Sequence, residues 1–116
     1  MAIFSQIVNN YKKTRAKKRA LSYLNRLKKN QNLKISSAYL FGSYAKGTSG
    51  KWSDIDVCVV SPNLKNIDAL VFLWRNLTAE DSQDRIEPIG FDEEEFNEDT
   101  PSPIIHEIKK TGIRLI

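Results

Sequence analysis

Two aspartates, Asp54 and Asp56, stand one residue apart at the head of the β-branched run DIDVCVV. Alternate residues of a strand share a face, so both carboxylates point the same way. Their Cα atoms lie about 6.6 Å apart, two rises of ~3.3 Å. At that separation both can converge on one or two hard cations. Like charges in a partly buried site repel, and a divalent metal relieves the repulsion. Oxygen-only ligands favour Mg²⁺ or Mn²⁺ over Zn²⁺. Mg²⁺ usually combines one or two carboxylates with substrate phosphates, so the pair points to phosphate chemistry.

The stretch upstream fits that chemistry. The apolar run ISSAYLF ends in Gly42-Ser43, and a polar loop with Gly47 and Gly50 follows. Glycine allows close backbone approach to a ligand, and Ser43 offers a hydroxyl and an N–H for terminal phosphate oxygens. A helical turn over residues 44–46 would add free N–H groups. Lys46 would place a cation over the phosphates, and Arg85 is a weaker candidate for the same task. Gly42 and Gly47 have the spacing of a P-loop, but that motif needs Lys-Ser/Thr after the second glycine. Thr48-Ser49 stand there, which excludes a Walker-type site. A base or third metal ligand is still required. Glu87, inside the apolar run RIEPIGF, is the leading candidate, because a carboxylate there is costly unless paired or metal-bound. Asp84 and Asp92 flank it.

These groups need a scaffold. Phe4, Ile7, Val8, Tyr11, Ala20, Leu24 and Leu27 recur at helical spacing and predict a helix over 5–30, started by Ser5 and stopped near Asn30-Gln31-Asn32. Its polar middle turn marks a break or a projection. Strands are predicted at 35–41, 54–60 and 85–91, the last at an edge because of Pro88. Leu64, Ile67, Leu70, Val71, Trp74 and Leu77 predict an amphipathic helix with Trp74 in the core. Residues 78–82 read as a polar connection. Asp92 and Glu95 form a capping box. Ser102-Pro103 opens a last helix, which Gly112 ends before a terminal strand. The fold class is α+β (α/β-like), a small mixed sheet flanked by helices, within a single domain over 1–116. Cys58 reads as a buried inert thiol and His106 as structural or exposed. Trp52 reads as packing its loop, with stacking on a base as the alternative.

Charge divides the chain. Residues 1–53 hold 12 Lys/Arg and no acid, whereas residues 54–116 hold 6 Lys/Arg and all 14 acids, a net of −8. A basic half beside an acidic site suits a polyanionic ligand or an acidic protein face, and Lys12–Arg19 is the candidate nucleic-acid or partner contact. With a single cysteine, no long apolar run and no signal-like N-terminus, the expected setting is cytoplasmic, with no membrane partner.

The pattern Gly42-Ser43, ten residues, then Asp54-x-Asp56 resembles the signature of the DNA polymerase beta-like nucleotidyltransferases. FGSYAKGTSGKWSDIDVCVV is similar to the minimal stand-alone members, and RIEPIGFDEEEF is similar to their third-strand segment. The resemblance spans about residues 35–100. It implies the nucleotidyltransferase fold and transfer of a nucleoside monophosphate, often AMP from ATP, with loss of pyrophosphate. Gly42, Ser43, Lys46 and Ser53 are then the expected nucleotide-binding set. Asp54, Asp56 and Glu87 would hold two Mg²⁺ ions, with Mn²⁺ as a substitute, and Glu87 would help deprotonate the acceptor hydroxyl. Two departures stand out. Lys46 replaces a frequent Arg, and Glu87 replaces a frequent Asp. Minimal members often accompany a small helical HEPN-type partner and resemble antitoxins that adenylylate it. A non-catalytic antitoxin, or a protein- or nucleic-acid-binding module acting through the basic helix, is the alternative.

Overall fold

The computed structural model describes residues 2–116. No glycine or proline precedes Gly42, so nothing interrupts the first helix. Helix α1 (Ala2–Asn30) therefore runs unbroken through the polar turn where a break was expected. Ser5 lies inside it and is not its cap. It stops where expected: Asn32 takes φ +53°, and the Leu33 N–H donates back to Leu27 O, closing a six-residue cap.

A four-stranded mixed sheet follows. Strand β1 (Ser37–Phe41) lies antiparallel to β2 (Ile55–Val60), which lies parallel to β3 (Ile86–Phe91). Strand β4 (Ile113–Arg114) adds to β1, giving the order β3-β2-β1-β4. Pro88 thus sits on an edge strand, as its missing N–H requires. Between β1 and β2 lies the short helix α2 (Ser43–Lys46). The β2–β3 crossover contains a 3-10 turn (Pro62–Leu64), α3 (Ala69–Arg75) and α4 (Ala79–Gln83). The stretch read as a polar connection is therefore a helix, started by a capping box between Thr78 and Asp81. Helices α5 (Glu93–Phe96) and α6 (Pro103–Thr111) complete the chain. Asp92 and Glu95 make the expected box, whereas Ser102 makes no side-chain cap bond. Gly112 ends α6 in extended backbone, φ −69°, and not in the left-handed form. Glycine is needed there because a Cβ would lie 2.4 Å from Ile108 O.

Strand alternation assigns the two faces. Ala38, Leu40, Val57 and Val59 meet Ala16, Ala20, Tyr23, Leu24 and Leu27 of α1 and Leu73 of α3. Phe41, Cys58 and Val60 meet Phe96, Ile105 and Ile108 on the opposite side. Cys58 is buried, as expected, and burial pushes its thiol up to about 12. The segment 64–77 differs from expectation. It shortens to the 3-10 turn and α3, and α3 buries Leu73 while Ile67, Leu70, Val71 and Trp74 face outward. Trp74 is 45% exposed, and its indole N–H donates to Pro88 O at 3.0 Å. It shields the sheet edge and is not in the core.

Helix α1 is clamped to the crossover by ion pairs. Arg15 reaches Asp84 (3.3 Å), Arg19 reaches Glu80 (2.9 Å) and Asp84 (3.3 Å), and Arg26 holds the buried Asp81. At its centre the Tyr23 hydroxyl donates to Leu73 O at 2.8 Å. Burial pushes the phenol's pKa strongly upward, which keeps it a donor. Tyr23→Phe should cost about 1 kcal/mol, read as a lower midpoint in urea unfolding with an unchanged slope.

Candidate active site

Three carboxylates meet at the N-terminal ends of the parallel pair β2–β3. The register places Asp56 directly beside Glu87, and Phe41 opposite Asp56 on the other side. Asp54 immediately precedes β2. By alternation all three acids lie on the α5–α6 side of the sheet. Burial first, then the charges of Glu87, Asp54 and Glu107, push the Asp56 carboxyl up to about 6. Burial and Asp54 also raise Glu87, while Arg85 draws it down. The predicted trio is therefore brought together, and burial and the neighbouring acids hinder the ionisation of Asp56 and Glu87.

Gly42 caps this crowding. Its φ is +73°, and a Cβ there would lie 2.2 Å from Asp56 Oδ2. Only glycine both takes this conformation and leaves room for the carboxylate. Ser43 follows as the first residue of α2, whose turn closes through Lys46 N–H to Gly42 O at 3.1 Å and Thr48 N–H to Ser43 O at 2.9 Å. The other two expected nucleotide contacts are engaged within the protein. Lys46 pairs with Glu107 of α6. Ser53 Oγ accepts from the Gly50 N–H at 2.7 Å and so closes the loop. Trp52 is exposed and does not pack the loop, while the Lys51 ammonium stands 5.3 Å from its ring centre. His106 is exposed and lies outside the site.

Sequence reasoning missed Glu107, and it named Arg85 only as a weaker cation for the phosphates, without its pairing with Asp54. Arg85 pairs with Asp54, its Nε and a terminal nitrogen each 2.9 Å from Oδ1. It does so from φ +61°, a conformation uncommon for a side-chain-bearing residue, while its carbonyl accepts from the Ile55 N–H at 2.8 Å. Glu107 comes from a helix 61 residues beyond Lys46, and no local pattern announces it. Beside the acids lies a cavity of about 150 Å³ lined by Asp54, Glu87, Arg85, Ser82, Trp74 and Leu77.

Among the described residues, no three acid, thiol or imidazole groups form a finished metal cage. The donor set still suits a hard cation. It is all oxygen, partly buried and crowded with negative charge, and it remains open to ligands from a phosphate.

The sequence profile described as "Nucleotidyltransferase domain" matches residues 8–112. The chain belongs to this nucleotidyltransferase family. Two solved structures share the fold of this nucleotidyltransferase domain. One is a candidate nucleotidyltransferase from Sulfolobus solfataricus, at 19% identity and TM-score 0.63, covering 91% of this chain and 84% of the other. The second is a toxin–antitoxin structure with AMP-PNP, at 24% identity and TM-score 0.55, covering 82% and 71%. No curated protein matches the sequence.

The folded pKa values of Asp56 and Glu87 exceed their unfolded values, so the native state binds more protons in that range. Stability of the metal-free domain should therefore rise as pH falls from 7 toward 5. Asp56→Asn should remove most of this dependence and add about 1 kcal/mol at pH 7, after allowance for solvent screening. Thermal melts across pH would show both. Gly42→Ala should displace the Asp56 side chain and abolish the raised titration near pH 6, followed by carboxyl NMR.

Proposed function

We propose that this nucleotidyltransferase domain is catalytic and transfers AMP from ATP to a hydroxyl on a partner protein. The in-register pair Asp56–Glu87, with Asp54 alongside and Gly42 packed over it, carries the reading. Asp54, Asp56 and Glu87 would hold two Mg²⁺ ions. When bound, such ions supply Lewis-acid stabilisation of the attacking and departing oxygens and offset the carboxylate repulsion. Gly42 and Ser43 would receive the triphosphate through backbone N–H and hydroxyl, with Lys46 and Ser53 completing the nucleotide contacts. Lys46 must leave Glu107 to do so, and Arg85 must release Asp54.

Glu87 is the candidate base. It stands in register beside Asp56 and lines the cavity where an acceptor hydroxyl would enter. The acceptor oxygen bonds to the α-phosphorus and its proton passes to Glu87. The bond to the bridging oxygen of the β-phosphate breaks, and pyrophosphate leaves. The cavity beside Glu87 supports a protein acceptor over a nucleic-acid end. At about 150 Å³, with Trp74 and Leu77 in its wall, it suits one side chain better than a nucleoside.

The toxin–antitoxin neighbour with AMP-PNP supports the nucleotide and the protein partner, and a small helical HEPN-type protein is the partner we favour. A non-catalytic antitoxin, or a module binding protein or nucleic acid through Lys12–Arg19, is the second reading. It is weakened because Arg15 and Arg19 of that run are tied to Asp84 and Glu80. A cytoplasmic setting accords with this function, and among the described residues no helix is long and apolar enough to cross a membrane.

With labelled ATP, Mg²⁺ and the HEPN-type partner, label should enter the partner, and Asp54→Ala/Asp56→Ala should reduce incorporation at least 1,000-fold (~4 kcal/mol). Equal labelling by both proteins would sink the catalytic reading. Divalent-ion affinity should fall as pH drops through about 6, where Asp56 takes up its proton, and calorimetric titration with Mn²⁺ would read it.

A further inference from the structure

Helix α1 has a second face that the domain scarcely uses, its half-buried Leu21 alone touching the core. The core takes Ala16, Ala20, Tyr23, Leu24 and Leu27. At 100° per residue, Phe4, Ile7, Tyr11, Thr14, Lys18 and Leu21 lie on the opposite side, spaced alternately by three and four. Ile3, Phe4, Ile7 and Tyr11 are 60–72% exposed. Further along this face runs an open groove of about 670 Å³, lined by Thr14, Lys17, Lys18, Leu21, Ser22 and Asn25. It shares no residue with the carboxylate site. The face thus presents large apolar knobs at one end and a shallow groove of aliphatic stems at the other.

We infer that this face pairs with the same face of a second copy, the two α1 helices packing antiparallel about a twofold axis. An isologous contact needs a self-complementary surface, and this register supplies one. Phe4 meets Leu21 of the second copy, Ile7 meets the stem of Lys18, and Tyr11 meets Thr14. Each pair then recurs across the axis. Lys stems cover apolar groups while their ammonium groups stay in water. No cation faces a cation: Lys17 falls opposite Asn10, and Arg15, already paired with Asp84, falls opposite Val8. A parallel pairing would instead set Lys18 against Lys18. Covering these side chains on two helices removes on the order of 1,200 Å² from water, the lower end of stable interfaces. Each domain body lies on the far side of its own helix, so the bodies do not obstruct the contact.

Sedimentation equilibrium should show a dimer at micromolar concentration that persists in 0.5 M NaCl. Phe4→Ser/Ile7→Ser should weaken association at least about 100-fold while leaving the thermal midpoint of the monomer unchanged, because neither residue is in the core. Phe4→Cys/Leu21→Cys should form an intermolecular disulfide on mild oxidation, with Cys58 buried and silent, and either single variant should not. A wild type that stays monomeric at 200 µM overturns the proposal, whether or not it binds anionic phosphatidylserine vesicles or an acidic protein through the same stripe. So does a dimer that survives the double serine substitution. Efficient cross-linking of Ile7→Cys alone also overturns it, since that reports a parallel arrangement.

Discussion

Carboxylate crowding at the head of the parallel β2–β3 pair is the constraint on which the site depends. Parallel pairing in this register gives Asp56 no neighbour except Glu87 on one side, and the close turn at Gly42 encloses it on the other. An isolated chain would not gather these charges, and the Asp56 carboxyl is raised by burial first and by the neighbouring acids second. The rest of the architecture tolerates that crowding. Apolar helices on both faces hold the sheet, and ion pairs fix the crossover that sets where β3 begins.

Arg85 is the local answer to this crowding. Its guanidinium partly neutralises Asp54, and its left-handed backbone lets one residue serve the sheet with its carbonyl and the acid with its side chain. Strained backbone of this kind tends to accompany function. In the proposed catalytic state Arg85 and a metal ion would be alternative partners of Asp54.

Much that depends on short-range spacing was legible in the sequence, although the Thr78–Asp81 capping box was passed over as a polar connection. Asp54-x-Asp56 shares a face because strands alternate, the turn at Gly42-Ser43 ends a strand because glycine permits it, and Asp92 with Glu95 caps a helix through a three-residue offset. Glu87 was legible because a carboxylate in an apolar run needs a reason. Most of what stayed hidden is non-local. The Lys46–Glu107 pair and the ion pairs from α1 to the crossover join residues more than fifty positions apart. The outward face of α3 escaped notice because Ile67, Leu70, Val71 and Trp74 imitate a core stripe, while Leu64 and Leu73 are buried and Ala69, Phe72 and Leu77 pack beside them. Likewise, Phe4, Ile7 and Tyr11 follow helical spacing faithfully but on the side away from the sheet.

Strand β2 is an interior strand, hydrogen-bonded along nearly its whole length on both sides, with Ile55, Val57, Cys58 and Val59 wholly buried. Backbone amides in such a position exchange with solvent only through the largest openings of a protein, whereas a two-residue edge strand and a projecting helix tip open first. Asp54 and Asp56 are therefore anchored to the part of the molecule that lets go last. Fraying at β4 or at the start of α1 leaves the acids in register, whereas release of the edge strand β3 would carry Glu87 away from Asp56.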